Sequence, residues 1–231
     1  MAITDNCFHS VVLNAENETQ SIGATIIEIL SDAPTVLAPI SVFIAALTFI
    51  YGVRAWRREF VGKRRIELAE DVLALGYEIE DIIRSFRSPF SYASEGQDRT
   101  RSNGETPEES TLLDRAYVVI ERYNKKEERI ALFRALRYRF MATFGTDSGE
   151  PFDEIDQVIK DIFFSAHMLG SHYWPRQGRA EMNKEEFRKH LDEMHTHERV
   201  FWNMGEQYDE IGPRVRQAIE KLEKHAKEAA I

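Results

Sequence analysis

The sequence predicts an all-α protein in which one N-terminal transmembrane helix continues into a cytoplasmic up-and-down helical bundle. Three observations carry this prediction. An uncharged stretch covers residues 33–53, six cations follow it within twelve residues, and apolar residues recur at helical spacing through the rest of the 231-residue chain. No two segments alternate apolar and polar residues as paired strands do, so no sheet is expected.

Composition excludes several classes of protein. With 43% hydrophobic and 30% charged residues the chain is globular rather than disordered. Its formal net charge of -9 argues against nucleic-acid binding. The single cysteine, Cys7, excludes an intrachain disulfide and a cysteine-based zinc site. No nucleotide-binding, zinc-protease or serine-hydrolase motif is present, so the sequence predicts no cofactor and no catalytic residue.

The uncharged stretch reads APTVLAPISVFIAALTFIYGV. As a helix it would be about 32 Å long, which matches the hydrocarbon core of a bilayer. A cleaved signal peptide fits less well, because the residues before the stretch contain acids and no cation. A buried soluble helix rarely lacks charge over such a length. We therefore predict that 33–53 spans a membrane, with a mild kink at Pro39.

The distribution of charge predicts the orientation of this span. Residues 1–53 contain no Lys or Arg, whereas six cations follow: Arg54, Arg57, Arg58, Lys63, Arg64 and Arg65. By the positive-inside rule, 1–32 is a short outward-facing segment and the C-terminal body is cytoplasmic. The six cations are expected to contact anionic lipid headgroups. Residues 22–30 are either a separate interfacial helix or an extension of the span.

The body begins with 54–87, a juxtamembrane basic helix that becomes the first bundle helix. From Leu68 to Phe86 its apolar residues follow steps of 4, 3, 4, 3 and 4, the spacing of a bundle or coiled-coil seam. Pro89 ends the helix. Residues 88–106, rich in Ser, Gly and charge, predict a flexible loop.

Residues 107–231 predict the remainder of the bundle. Thr106 to Glu109 form a capping box that starts a helix running to about Phe144. A third helix opens at Pro151 and a fourth is capped by Asn183. The apolar face expected for the fourth helix consists of Phe187, Leu191, Met194 and Phe201, and that of the last helix of Val215, Ile219 and Leu222.

The fourth helix also carries a candidate site. Glu186, His190, Glu193 and His197 fall within about 60° of one another on a helix. Carboxylates and imidazoles on one face form a possible divalent-metal surface. This face lies about 100° from the apolar face, so we expect it to be solvated, with Glu–His pairing and no metal.

Two further patterns have a functional and a structural interpretation. Four arginines lie among aromatic residues: Arg129, Arg134, Arg137 and Arg139. They could contact nucleic acid, but the neighbouring acids Glu127 and Glu128 favour salt bridges. The stretch HYWPRQG at 172–178 suits a docking surface, although packing of its Tyr and Trp at the bundle rim is favoured.

The stretches RREFVGKRRIELAEDVLALGYEIEDIIRSFRSPFSY at 57–92, FGTDSGEPFDEI and HYWPRQGR resemble uncharacterised small bacterial single-pass membrane proteins. The resemblance covers most of the body and less of the outer segment. It implies a location in the bacterial inner membrane, and it transfers no activity and no site residue.

Apolar seams without a motif that carries chemistry predict a membrane-anchored interaction or scaffold protein. Its partner would be an unknown cytoplasmic protein or a second copy of the chain. The alternative is a divalent-metal-dependent enzyme or sensor that uses the His and Glu residues. A transmembrane signal transducer ranks third, because about 32 residues outside leave little room for a folded sensor.

Overall fold

The computed structural model describes residues 5–178, 181–205 and 207–228, with side chains from residue 41 onward. The main helices are α1 (Asp5–Phe86), α2 (Pro107–Asn124), α3 (Glu127–Phe144), α4 (Glu150–Met168), α5 (Lys184–Phe201) and α6 (Ile211–Glu228). The described residues contain no strand. The chain divides into two compact units, Met1–Val61 and Gly62–Ile231. The all-α prediction is confirmed for the described part of the chain.

The predicted membrane span falls within α1. Residues 41–53 are uncharged and every one of them is exposed. Residues 33–40 lie outside the part of the chain whose side chains are described. No helix in the described part is long and apolar enough to cross a membrane, so the span lacks support there and stays a prediction. Residues 22–30 belong to α1 rather than to a separate helix.

The second unit is built from four rods. The first is α1 from residue 62 onward; the second is α2 followed by α3; the third is α4; the fourth is α5 followed by α6. Ion pairs show the direction of the rods. Arg134 and Arg137 of α3 pair with Asp156 and Asp153 of α4 at 2.7 Å each, so later residues of α3 meet earlier residues of α4. The helical bundle is therefore confirmed, with antiparallel neighbours.

The predicted seams form the core of this bundle. The seam residues of α1 are all buried: Leu68, Val72, Leu75, Ile79, Ile82 and Phe86. So are those of α4: Phe152, Ile155, Ile159, Ile162, Ala166 and Leu169. Heptad spacing predicted both sets correctly because it keeps one face of a helix turned towards its neighbours. The same spacing also included Val61, one heptad before Leu68, and there the prediction is wrong, because Val61 is 50% exposed.

The second rod was expected to be one helix from 107 to 144, and it is two. The break falls at Lys125 and Lys126, where the Lys126 backbone leaves the helical region (φ -121, ψ 7). Both halves nevertheless run along α4, since Tyr123 of α2 meets Phe163 edge-on at 4.9 Å. One sign of the break is present in the sequence. Glu127 follows Tyr123 by four residues and precedes Ile130 by three, so it is charged where heptad spacing would place an apolar residue.

The third rod ends in a wider turn that the sequence did not predict. After Met168 the chain forms a π turn, Leu169–Tyr173, and then a last helical turn, Trp174–Arg176. Gly170 allows α2 to approach here, because a Cβ at this position would lie 2.6 Å from the Cβ of Ala116. Insertions of this kind are frequent at functional sites.

The segment 88–106 contains no helix, as predicted, and it is fastened to α2. Arg122 donates to the carbonyls of Ser88 and Phe90. The N–H of Gly96 donates to the buried carboxylate of Glu121 at 2.6 Å. Gly96 has a φ of 84°, and a Cβ there would overlap backbone of α2. The flexibility of this loop stays a prediction, and these contacts oppose it.

Candidate functional site

Five of the six cations predicted to contact lipid are exposed on α1: Arg54, Arg57, Arg58, Lys63 and Arg64. Arg65 differs, because its guanidinium lies 5.3 Å from the ring centroid of Phe144 at the end of α3. Its Nε is buried without a hydrogen-bond partner among the described residues. Arg65 therefore contacts the bundle through a cation–π interaction, and lipid contact by the six cations stays a prediction.

The His–Glu face of α5 does not point uniformly to solvent, and that prediction is wrong. His190 is 6% exposed and His197 is half-buried, whereas Glu186 and Glu193 are exposed. The residues that face the core are His190, Met194, His197 and Phe201, at steps of 4, 3 and 4. Phe187, expected in the core, is 40% exposed. Two histidines thus occupy seam positions. Of the apolar face predicted for α5, Met194 and Phe201 are buried and Leu191 packs against the core, so the hydrophobicity pattern predicted that face in part.

Tyr173 of the π turn packs against this face of α5. Its ring centroid lies 5.5 Å from that of His190 and 5.1 Å from that of His197. Its hydroxyl donates a long hydrogen bond of 3.4 Å to Glu193. Burial, and then the Glu193 carboxylate, raise the pKa of Tyr173. Burial lowers the pKa of His197 and outweighs the opposing attraction of Glu193.

The same face does not have the geometry of a metal site. In the described ranges, no three His, Cys, Asp or Glu side chains come together in a way that could hold a metal ion. His190 and His197 lie against Tyr173, while Glu186 and Glu193 are exposed. The arrangement therefore favours packing over metal chemistry.

Ser165 and His197 have the atoms of a nucleophile and a base, at 3.1 Å between Oγ and Nδ1. A nucleophile must reach its substrate, and Ser165 is only 3% exposed. It lies on α4 under α5 and lines neither the small cavity beside Arg87 nor the crevice beside Tyr173. The pair is a contact between two helices rather than a catalytic dyad.

A polar crevice of about 450 Å³ opens beside Tyr173, between the end of the third rod and α5. It is lined by His172, Arg176, Glu181, Met182, Glu186, Lys189, His190 and Glu193. Several of these groups already have partners. Arg176 donates to His172 at 3.2 Å, and Glu186 closes the capping box with Asn183 at 3.0 Å. The walls carry both cations and carboxylates, so the crevice does not select a ligand of one charge.

The arginines of α3 are used within the bundle, as predicted. Arg129 pairs with Glu78 of α1, and Arg134 also donates to the Tyr123 hydroxyl at 3.0 Å. Together with the two pairs to α4, three of the four guanidiniums bind carboxylates of neighbouring helices, and Arg139 is exposed.

The outer face of α3 is a feature that sequence reasoning missed. One side of α3 packs into the core through Ile130, Phe133, Leu136 and Phe140. The opposite side is also apolar and exposed, and we call it the outer face of α3: Ala131, Leu132, Ala135, Tyr138 and Ala142. Leu132 is 44% and Tyr138 69% exposed. Apolar residues on all sides of one helix were the available signal.

The HYWPRQG stretch packs rather than docks, as favoured from the sequence. Trp174 is buried, lies edge-on to Phe201 at 5.7 Å and donates its indole N–H to Glu198 at 3.1 Å. The Arg115 guanidinium covers the ring at 4.5 Å. These contacts join the third rod to α2 and α5.

The chain matches no protein-family model, no curated protein and no solved structure. The resemblance to bacterial single-pass membrane proteins therefore stays a prediction.

Proposed function

We propose that this chain is a membrane-anchored helical interaction module whose bundle presents the outer face of α3 to a partner. The observation that supports this role is the exposure of apolar side chains on the side of α3 opposite its core face. Solvent disfavours exposed apolar side chains of this size, and a row of them is a mark of an interaction site. In the residues that the structure describes, nothing comparable supports catalysis.

The composition of the outer face of α3 suits a helix as its partner. Three of its five residues are alanines, so another helix can approach closely along the groove between Leu132 and Tyr138. The two large side chains would act as anchors, since aromatic and aliphatic groups dominate helix-in-groove interfaces. That helix would belong to a cytoplasmic protein or to a second copy of the chain.

The anchor is supported by the exposed part of α1 in the first unit. Phe43, Phe49 and Tyr51 are each at least 65% exposed on an uncharged stretch. Apolar side chains in this number need an apolar surrounding, and a bilayer supplies one. The exposed cations at Arg54, Arg57 and Arg58 would then contact anionic headgroups on the cytoplasmic side of an inner membrane.

Site-specific photo-crosslinking in cells tests the docking role. A photoreactive amino acid at Tyr138 should give a discrete adduct. The same group at Lys160, exposed on α4, should not. The adduct should disappear when Ala135→Lys places a charge in the groove. Labelling at 138 that is as weak and diffuse as at 160 would contradict an interaction through α3.

Fractionation tests the anchor separately. Full-length protein should stay with membranes after washing with high salt, which removes proteins held by charge alone. Ile44→Asp with Leu47→Asp should release it, because charge within the lipid is strongly disfavoured. Tyr138→Asp, on the bundle, should leave fractionation unchanged. Wild-type protein that is soluble without detergent would contradict the anchor and leave the docking test intact.

A further inference from the structure

The α4–α5 contact is closed by titratable side chains where a bundle normally uses aliphatic ones. His190 and His197 hold two of the four seam positions of α5, and the Tyr173 ring contacts both. His190 Nε2 is shielded from water and has no hydrogen-bond partner among the described residues. His197 Nδ1 is paired with the hydroxyl of Ser165. The contact therefore accommodates a neutral imidazole at His197.

We propose that this contact is a proton-sensitive latch, which holds α5 on α4 while His197 is neutral and loosens as His197 becomes charged in mildly acidic solution. An imidazolium carries a proton on both nitrogens, so the His197 Nδ1 could no longer accept a hydrogen bond from the Ser165 hydroxyl. The His197 ring also lies against the rings of Phe164 and Tyr173, at 5.8 and 5.1 Å between centroids, and burying a charge in such surroundings is costly.

The charged groups around the contact do not offset this cost. On α5, Glu193 attracts a charge on His197, but its side chain is 47% exposed and faces Lys189 at 3.9 Å. On the third rod, Arg176 lines the crevice and adds positive charge. Burial thus dominates, and the pKa of His197 lies below its ordinary value of 6.5.

Two other carboxylates of α5 are engaged elsewhere. Glu186 accepts from the backbone N–H of Asn183, and Glu198 accepts from the indole of Trp174. Neither carboxylate could pair with a charged His197 without losing its present hydrogen-bond partner.

The direction of the pH effect follows from linkage. When α5 separates from α4, water reaches the His197 imidazole and its pKa returns towards 6.5. Separation therefore takes up a proton between 6.5 and the lower pKa of the closed state. The equilibrium constant for separation rises as pH falls through this window, by at most about tenfold per pH unit for this one histidine.

Hydrogen–deuterium exchange of the full chain between about pH 8 and about pH 5 tests the latch. After correction for intrinsic exchange, the protection of α5 amides should fall below pH 6.5, while that of α3 amides should not. His197→Asn should remove much of the fall, because an amide can keep the Ser165 hydrogen bond and cannot be charged. His195→Asn, an exposed position on the same helix, should behave as wild type.

Unchanged protection of α5 in wild type across this range would overturn the proposal, as would an equal fall in His197→Asn. If that variant disturbs α5 at pH 8, an NMR titration of wild-type His197 decides. A midpoint below 6.5 supports the latch, and a midpoint at or above 6.5 overturns it.

Discussion

Arg87 and Asp209 form a buried ion pair, with 2.8 Å between Nη1 and Oδ1 and side-chain exposures of 1% and 11%. The same guanidinium donates to three carbonyls at the end of α5, and Asp209 accepts from the N–H of Ile211 at the start of α6. Helix ends leave such groups unpaired. The pair therefore joins the two helices of the fourth rod at the point where α1 ends.

The charge state of Asp209 follows from this environment. Burial alone would raise its pKa, but hydrogen bonds from Arg87 and from the N–H groups of Ile211 and Gly212 outweigh burial and lower the pKa below 3.8. The ionised carboxylate thus stabilises the fold fully above pH 3.8. This contribution is lost as pH falls through the lowered pKa.

Asp209→Asn should lower the free energy of unfolding by about 3 kcal/mol at neutral pH, because it leaves the Arg87 charge buried without a counter-ion. Urea denaturation measures the change. The control is Glu210→Gln, since Glu210 is 53% exposed and 3.8 Å from Arg199. The control should cost less than about 1 kcal/mol. If both variants lost the same free energy of unfolding, the buried ion pair would contribute no more to stability than the exposed pair, which would contradict the prediction.

Heptad spacing and capping motifs predicted much of this fold from the sequence. The capping boxes at Thr106 and Asn183 form as expected, because their geometry depends only on residues within one turn. The apolar face predicted for α5 was right at Met194 and Phe201, which are buried, and at Leu191, which packs against the core. The prediction missed His190, which lies in the core and carries no signal of burial. His190 and His197 are covered by Tyr173 of the third rod, and the sequence of α5 alone does not reveal this contact.

Replacing His190 by Leu should therefore stabilise the protein, by about 1 kcal/mol, since it removes a buried ring nitrogen without a partner and keeps an apolar group in the seam. Thermal or urea unfolding at about pH 8 measures the gain. His195→Leu, at an exposed position, should change stability by less than about 0.5 kcal/mol. A clear loss on His190→Leu would show that the imidazole has a favourable contact.

The π turn was invisible in the sequence for a related reason. The spacing from Phe152 to Leu169 continues smoothly to Tyr173, and the extra residue in the turn shifts the phase only at the end. Gly170 was the one local sign of an irregular turn. The reason for a glycine there is the close approach of Ala116 of α2, which only the three-dimensional structure shows.

Gly170→Ala should destabilise the bundle by about 1–3 kcal/mol, because the new methyl group would overlap Ala116 and force the two helices apart. The matched control is Gly62→Ala in α1, where nothing lies within 4 Å of the added Cβ. There alanine should stabilise the helix by about 0.5–1 kcal/mol. Opposite signs in urea denaturation are expected, and a stabilised Gly170→Ala would contradict the close approach.

The hydrogen bonds that hold the 88–106 loop in place can be tested at Glu105. Its carboxylate accepts two hydrogen bonds from Arg99, at 2.6 and 2.8 Å, and one from the N–H of Ser102 at 2.8 Å. These bonds favour the charged form and lower the pKa of Glu105 to about 2.

Carboxyl NMR titration of the full chain should accordingly find Glu105 titrating near pH 2 in wild type and nearer 4.5 in Arg99→Gln. The loop contact is then complete above pH 4.5 and is lost only as pH falls towards 2, so neutral pH leaves it intact. Arg101→Gln is the control, because Arg101 pairs with Asp114 rather than Glu105. A wild-type pKa close to 4.5 would mean that Arg99 does not hold Glu105 in solution, and that the loop is as flexible as its composition predicts.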